Sequence, residues 1–137
     1  MVAFPTATRS VECALGLQPA LDADAEGRSE EPVLVRVGMD TGEVVAEETG
    51  YFGRTVFRAS RIADLAAGGR VLVSETTRLV ADPSLFEFQD LGERPLKGLG
   101  GAHRVFEAGP RPALLARERP RSALPDEPPP LPPGAPT

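Results

Sequence analysis

One cysteine, Cys13, and one histidine, His103, are the whole supply of soft metal ligands and strong nucleophiles in 137 residues. A single cysteine excludes an internal disulfide and a thiolate-rich metal site, and a single histidine excludes a multi-histidine zinc centre. Cys13 falls among apolar positions at helical spacing and reads as a small buried core residue. His103 opens the last strand-like run with no serine or cysteine beside it, which favours a structural role. Long apolar runs are also missing. Nothing approaches the roughly 18 residues that a spanning helix needs, and the N-terminus has neither the basic start nor the apolar stretch of a signal peptide. A cytoplasmic protein is expected. Positive charge is scarce: 15 Lys and Arg face 20 Asp and Glu, a formal net charge of -5. The basic stripe that neutralises phosphates is absent. The one local cluster, Arg111, Arg117, Arg119 and Arg121, is offset by Glu118, Asp126 and Glu127. Neither nucleic acid nor a membrane is an expected partner.

Proline, by contrast, is plentiful and unevenly spread. Ten of the 15 prolines fall between Pro110 and Pro136. Residues 109–137 therefore read as a proline-rich disordered tail or linker, with "PDEPPPLPPGAP" favouring extended polyproline II. Residues 1–108 are left as one domain, and a domain of that size buries roughly 60–70% of its unfolded surface.

Hydrophobic periodicity divides this domain. "MVAF" reads as a short strand broken by Pro5. Ala7, Val11, Ala14, Leu15, Gln18 and Leu21 recur at helical spacing. Pro19 lies inside that pattern and predicts an end near Gln18, because it removes a backbone donor and clashes with the preceding turn. "DADAEGRSEEP" reads as an acidic loop. Val33, Val35 and Val37 alternate with Leu34 and Arg36 as in a strand. "DTG" then reads as a turn and "EVVAEE" as the returning strand of a hairpin, with 49–53 as a loop. Val56, Ala59, Ile62, Ala63 and Ala66 form a helical stripe that Gly68 and Gly69 should stop. "RVLVSE" is a strand. A short helix follows with Ser74 as its N-cap, then strands over "LFEFQDLGE" and "HRVFEA" around the glycine-rich turn "RPLKGLGGA". Strands mixed with helices and hairpins imply an α+β fold with helices packed on one sheet.

Three stretches in this order, "VRVGMDTGEVV", "YFGRTVFRASRIADLAAGGRVLVSETT" and "LGERPLKGLGGAHRVFEA", resemble the C-terminal part of the class III nucleotidyl cyclase catalytic domain, the adenylate and guanylate cyclases. "MVAFPTATRSVECALGLQPALDA" resembles the strand and helix that follow the family's central hairpin. The resemblance implies a ferredoxin-like, cyclase-type sheet with its N-terminal part missing. It implies a homodimer or a heterodimer with another cyclase domain, ATP or GTP as substrate, and cyclic-nucleotide signalling as the setting. In the family, two aspartates hold two metal ions, and the partner subunit gives an Asn and an Arg four residues apart on one helix. Both aspartates and the base-reading lysine belong to positions before Met1. The resemblance therefore implies no cofactor site in this chain, with Mg2+ or Mn2+ entering only if a partner supplies the aspartates.

Carried over residue by residue, Arg61 matches the transition-state arginine and Phe57 stands in the Asn position. Gly50 falls where many members have a base-reading aspartate. Lys97 lies near the phosphate-binding lysine, and a register shift of two would put Leu99 there. Asp40 replaces a residue that is often His in the family pattern "GIHTGE". Residues at i and i+4 of a helix share a face, so Asn and Arg would address one ligand together; Phe57 cannot. Arg61 reads either as a phosphate clamp or as a surface arginine paired with Asp64. Asp40, Glu43, Glu47 and Glu48 read as solvated turn residues. The expectation is a truncated domain, inactive alone, acting as a dimerisation or regulatory module. The alternatives are a half-site partner of a complete cyclase or a fragment of a longer active one.

Overall fold

The computed structural model describes residues 1–111. Helix α1 (Ala7–Gly27) comes first. Strand β1 (Val37–Met39), strand β2 (Val45–Glu47) and strand β3 (Gly50–Phe52) follow, then helix α2 (Arg54–Leu65). Strand β4 (Val71–Ser74), helix α3 (Glu75–Val80) and the long strands β5 (Phe86–Leu96) and β6 (Leu99–Pro110) complete it. The main sheet runs β1-β4-β6-β5, and β2 with β3 forms a separate ribbon. Only the β1–β4 pair is parallel; β4–β6 and β5–β6 are antiparallel. This is the α+β architecture expected.

Alternation along β4 decides the layering, since successive side chains point to opposite faces. Val71 and Val73 pack with Val11 and Ala14 of α1, Met39, Phe86 and Phe106. Leu72 faces the other way and packs with Ile62 and Ala66 of the α2 segment, Leu96 and Val105. The sheet is thus covered by α1 on one face and α2 on the other. No helix among the described residues is long and apolar enough to cross a membrane.

Several local expectations change. "MVAF" forms no strand. Helix α1 passes through Pro19 and takes in much of the supposed acidic loop, ending at Gly27. The helix runs on because only one backbone donor is lost, while Thr6 caps the start by accepting from the Arg9 N–H at 3.2 Å. Cys13 is exposed, not core. Of the helix's buried residues, Val11, Ala14 and Ala25, Val11 is the nearest reference: a residue two beyond it points about 200° round the helix, away from its buried face.

Val33 and Val35 stay outside the ladder for a visible reason. The Gln18 side chain donates to the Val33 carbonyl at 2.9 Å and accepts from the Val35 N–H at 3.0 Å. The Val35 carbonyl accepts from Gly69 N–H at 2.8 Å. These backbone groups are satisfied without a strand partner. The expected hairpin is also absent. β2 pairs with β3, inside the segment read as a loop, and β1 pairs with β4. Between β1 and β2 the Asp40 side chain is fully buried, and the chain leaves the sheet from that anchored point. At the other end β6 extends to Pro110, with Gly109 opposite Glu87 and Pro110 opposite Phe86, so the sheet claims two residues assigned to the tail. Arg111 follows, donating to the Pro83 and Phe86 carbonyls. The rest of the proline-rich tail lies outside the described residues.

Candidate functional site

Helix α2 carries the two residues on which the site depends. Ile62 and Ala66 are buried on its inward stripe. Gly38 lets the helix approach β1: a Cβ there would lie 2.1 Å from the Ala63 nitrogen and 2.4 Å from the Ala59 carbonyl oxygen. No side chain can occupy that space, so the contact is backbone on backbone.

Arg58 is one turn ahead of Ile62 on the same stripe, and a charge directed inward requires a partner. Asp40, directly after β1, provides it. The Asp40 side chain is 0% exposed; one carboxylate oxygen accepts from Arg58 at 2.9 Å. The other accepts from the Ser74 hydroxyl at 2.6 Å. Ser74 caps α3 by accepting from the Thr77 N–H at 3.2 Å, as its position predicted. The Thr77 hydroxyl is 2.8 Å from that of Thr41. One polar chain therefore joins α2, β1, β4 and α3. Asp40 is not the solvated turn residue expected. The available signal was its position, a carboxylate directly after the apolar run "VGM" and ahead of an arginine on the buried helical stripe.

The family-matched residues lie along the flank of α2. The Arg61 guanidinium sits over the Phe57 ring, 4.8 Å from its centroid. It donates to Asp64 at 3.2 Å, the pairing foreseen as one of its two readings. Its Nε is buried with no hydrogen-bond partner. The Phe57 ring rests against Gly98 in the turn between β5 and β6: a Cβ on Gly98 would be 2.9 Å from the ring's Cζ. Gly98 has φ +82°, so two constraints favour glycine there. Lys97, its neighbour, is exposed, while Leu99 packs against the inner cluster. The structure thus gathers Phe57, Arg61 and the Lys97 turn. Gly50 belongs to the β2–β3 ribbon, opposite Glu47, with φ +139°.

The donors present do not fit a divalent cation. Both Asp40 oxygens are engaged by Arg58 and Ser74, and that carboxylate has no open side. Among the described residues no three acidic, histidine or cysteine side chains converge.

A sequence model described as the adenylate and guanylate cyclase catalytic domain matches residues 3–107. An uncharacterised protein of Mycobacterium tuberculosis is 39% identical over 105 residues, 72% of this chain and 33% of that protein. A protein of Rhizobium meliloti called putative adenylate cyclase 3 is 33% identical over the whole chain, which is 23% of its own length. The chain thus spans a third or less of these relatives. Among solved structures, an adenylate/guanylate cyclase/hydrolase from Silicibacter pomeroyi is 30% identical with a TM-score of 0.66, covering 78% of this chain and 64% of that one.

Proposed function

Because this chain belongs to the adenylate and guanylate cyclase catalytic domain family, we propose that it is a cyclase-homology module that pairs with another cyclase domain and forms no cyclic nucleotide alone. The observation that carries this reading is the state of α2. Arg61 is held over Phe57 and tied to Asp64 within its own helix. Phe57 fills the place of a ribose-orienting amide with a hydrocarbon ring. Losing one such donor typically costs on the order of 100–1000-fold in rate. ATP or GTP would be handled only in a paired site, with Mg2+ or Mn2+ held by the partner's aspartates, in a cytoplasmic setting. Purified chain incubated with ATP or GTP and Mn2+ should give no product; clear metal-dependent turnover overturns the proposal. If Phe57 fills the pairing surface, Phe57→Asn should weaken self-association measured by ultracentrifugation.

A second reading makes the chain a half-site donor. It is favoured by the Arg61 side chain remaining 30% exposed, on the flank that meets the Lys97 turn. Mixing the chain with a complete cyclase domain should then raise turnover, and Arg61→Ala should remove the gain. No gain over the complete domain alone ends that reading. A third, a fragment of a longer active cyclase, is decided by the intact mass of the native protein against 14.5 kDa.

A further inference from the structure

The sheet face that α1 covers is left open toward its β5 end. β5 is the last strand of the order, beyond β6. Phe86 and Phe88 alternate onto that face, their ring centroids 6.1 Å apart in an edge-on pair. Phe86 is buried, whereas Phe88 is half-buried. A groove of about 680 Å³ is lined by these rings and Ala108, and by Arg78 and Leu79 of α3. Leu79 is 63% exposed. Arg78 lies over the Phe106 ring, 5.4 Å from its centroid.

Arg111 lines the same groove and is pinned there. Its backbone N–H donates to the Leu85 carbonyl at 3.1 Å. Its Nε donates to the Pro83 carbonyl at 2.9 Å, and a terminal nitrogen to the Phe86 carbonyl at 3.2 Å. A small-molecule pocket needs a few convergent polar groups, and this guanidinium is already committed to the main chain. The pinning also means that the chain leaves the sheet at the groove itself. The next residues read "PALLARER", and Leu114 and Leu115 are the only adjacent pair of large apolar residues in 112–137. An extended chain advances at most about 3.3–3.6 Å per residue, so Leu115 reaches no further than about 14 Å from Arg111. The groove lining carries charges of both signs, Arg78 on α3 and Glu87 on β5. Neither forms an ion pair among the described residues. The segment after Leu115 carries both signs too, in Arg117, Glu118 and Arg119.

We propose that residues 113–118 of this same chain dock in the groove, with Leu114 and Leu115 against Phe88 and Leu79. The tether makes this occupant the best fit. A separate partner loses translational and rotational freedom on binding, whereas a short covalent link holds its segment at an effective concentration in the millimolar range. Contacts too weak to retain a free peptide then suffice. The docked segment would shield the open apolar side of α3 and β5. It would also fix where the proline-rich remainder departs. This face is the one opposite α2, since Ile62 and Ala66 pack on the other side of the sheet. The inference therefore goes beyond the pairing reading and does not depend on it.

The chain contains no tryptophan, so Leu115→Trp in the full chain places a single emitter at the proposed contact. Its reference is a synthetic peptide of residues 112–121 with the same substitution. A segment seated about nine-tenths of the time should be quenched by acrylamide about tenfold more slowly than the peptide. Its emission should be blue-shifted, and both readings should be the same at low and high chain concentration. Adding Leu79→Ser removes an apolar contact from the groove and should speed the quenching by about threefold. The melting temperature should hold, because Leu79 is mostly exposed. A second measurement needs no tryptophan: Leu114→Ser with Leu115→Ser should shift the proton resonances of Phe88 and Leu79 and leave those of Ile62 in place. Quenching equal to that of the peptide overturns the proposal. Protection that Leu79→Ser leaves intact puts the segment elsewhere and overturns it too. Protection that grows with chain concentration assigns the groove to a second copy, with the same consequence. Resonances of Phe88 and Leu79 that do not move likewise count against it.

Discussion

Substituting Asp40 by asparagine keeps the shape of the side chain and removes its charge. The consequence can be worked from the contacts. Asp40 is fully enclosed, accepts from Arg58 at 2.9 Å and from Ser74 at 2.6 Å. The substituted amide would present an NH2 group to one of those donors, leaving it unpaired. Hydrogen bonds to charged groups contribute about 1.5–3 kcal/mol each. Removing one partner of a buried ion pair costs about 3–5 kcal/mol. Because the Arg58 side chain is 25% exposed, water can recover part of its solvation, and the lower end, about 3 kcal/mol, is expected. For a domain of this size each kcal/mol moves the melting temperature by about 4–8 °C, so Asp40→Asn should lower it by about 12 °C or more. The assay is calorimetry with urea titration on the wild type, Asp40→Asn, Arg58→Met and the double variant. The double variant should recover part of the loss, because it leaves no unpaired charge. The coupling energy should exceed about 1 kcal/mol. Strict additivity would refute the claim that Asp40 and Arg58 act as a buried pair.

Gly38→Ala should destabilise by about 3 kcal/mol or more, because its Cβ would meet the α2 backbone at 2.1–2.6 Å. Gly16→Ala, with nothing within 4 Å, should instead stabilise by about 0.5–1 kcal/mol through helix propensity; paired thermal melts check both. Asp90 has its carboxyl pKa held below the ordinary aspartate value, first by the Gly92 N–H and then by Arg104. A depressed folded pKa stabilises above the unfolded value, and the effect is lost as pH falls through the folded one. Asp90→Asn should therefore lower stability at neutral pH, with the gap closing in acid; urea titrations at several pH values follow it.

The elements that survived from sequence to structure are those whose causes are local. The stripe of α2 and the alternation of "RVLV" give period-3.6 and period-2 patterns, and each element formed where its pattern placed it. Ser74 was readable as a cap because an N-cap needs only a short oxygen-bearing side chain before a helix. Arg61, Phe57 and Lys97 could be named because motif spacing carried them; the structure sets Arg61 over Phe57 and Phe57 against Gly98, the neighbour of Lys97. Pairing was not legible in the same way. Nothing in "VLVRVGMDTGEVVAEE" reveals that Gln18 satisfies Val33 and Val35, so a plausible hairpin never forms.

Composition and periodicity by themselves determined an acidic α+β domain and its principal helices, while the resemblance of three stretches to the cyclase family named the positions aligned with its site. Those properties follow from each residue's own hydrophobicity, charge and backbone preference. Only the tertiary structure decided that Asp40 is buried against Arg58, that Arg61 is held over the Phe57 ring, and that "MVAF" forms no strand. Each depends on a partner whose position the fold sets, and burial and hydrogen bonding exist only once the chain has brought the two together.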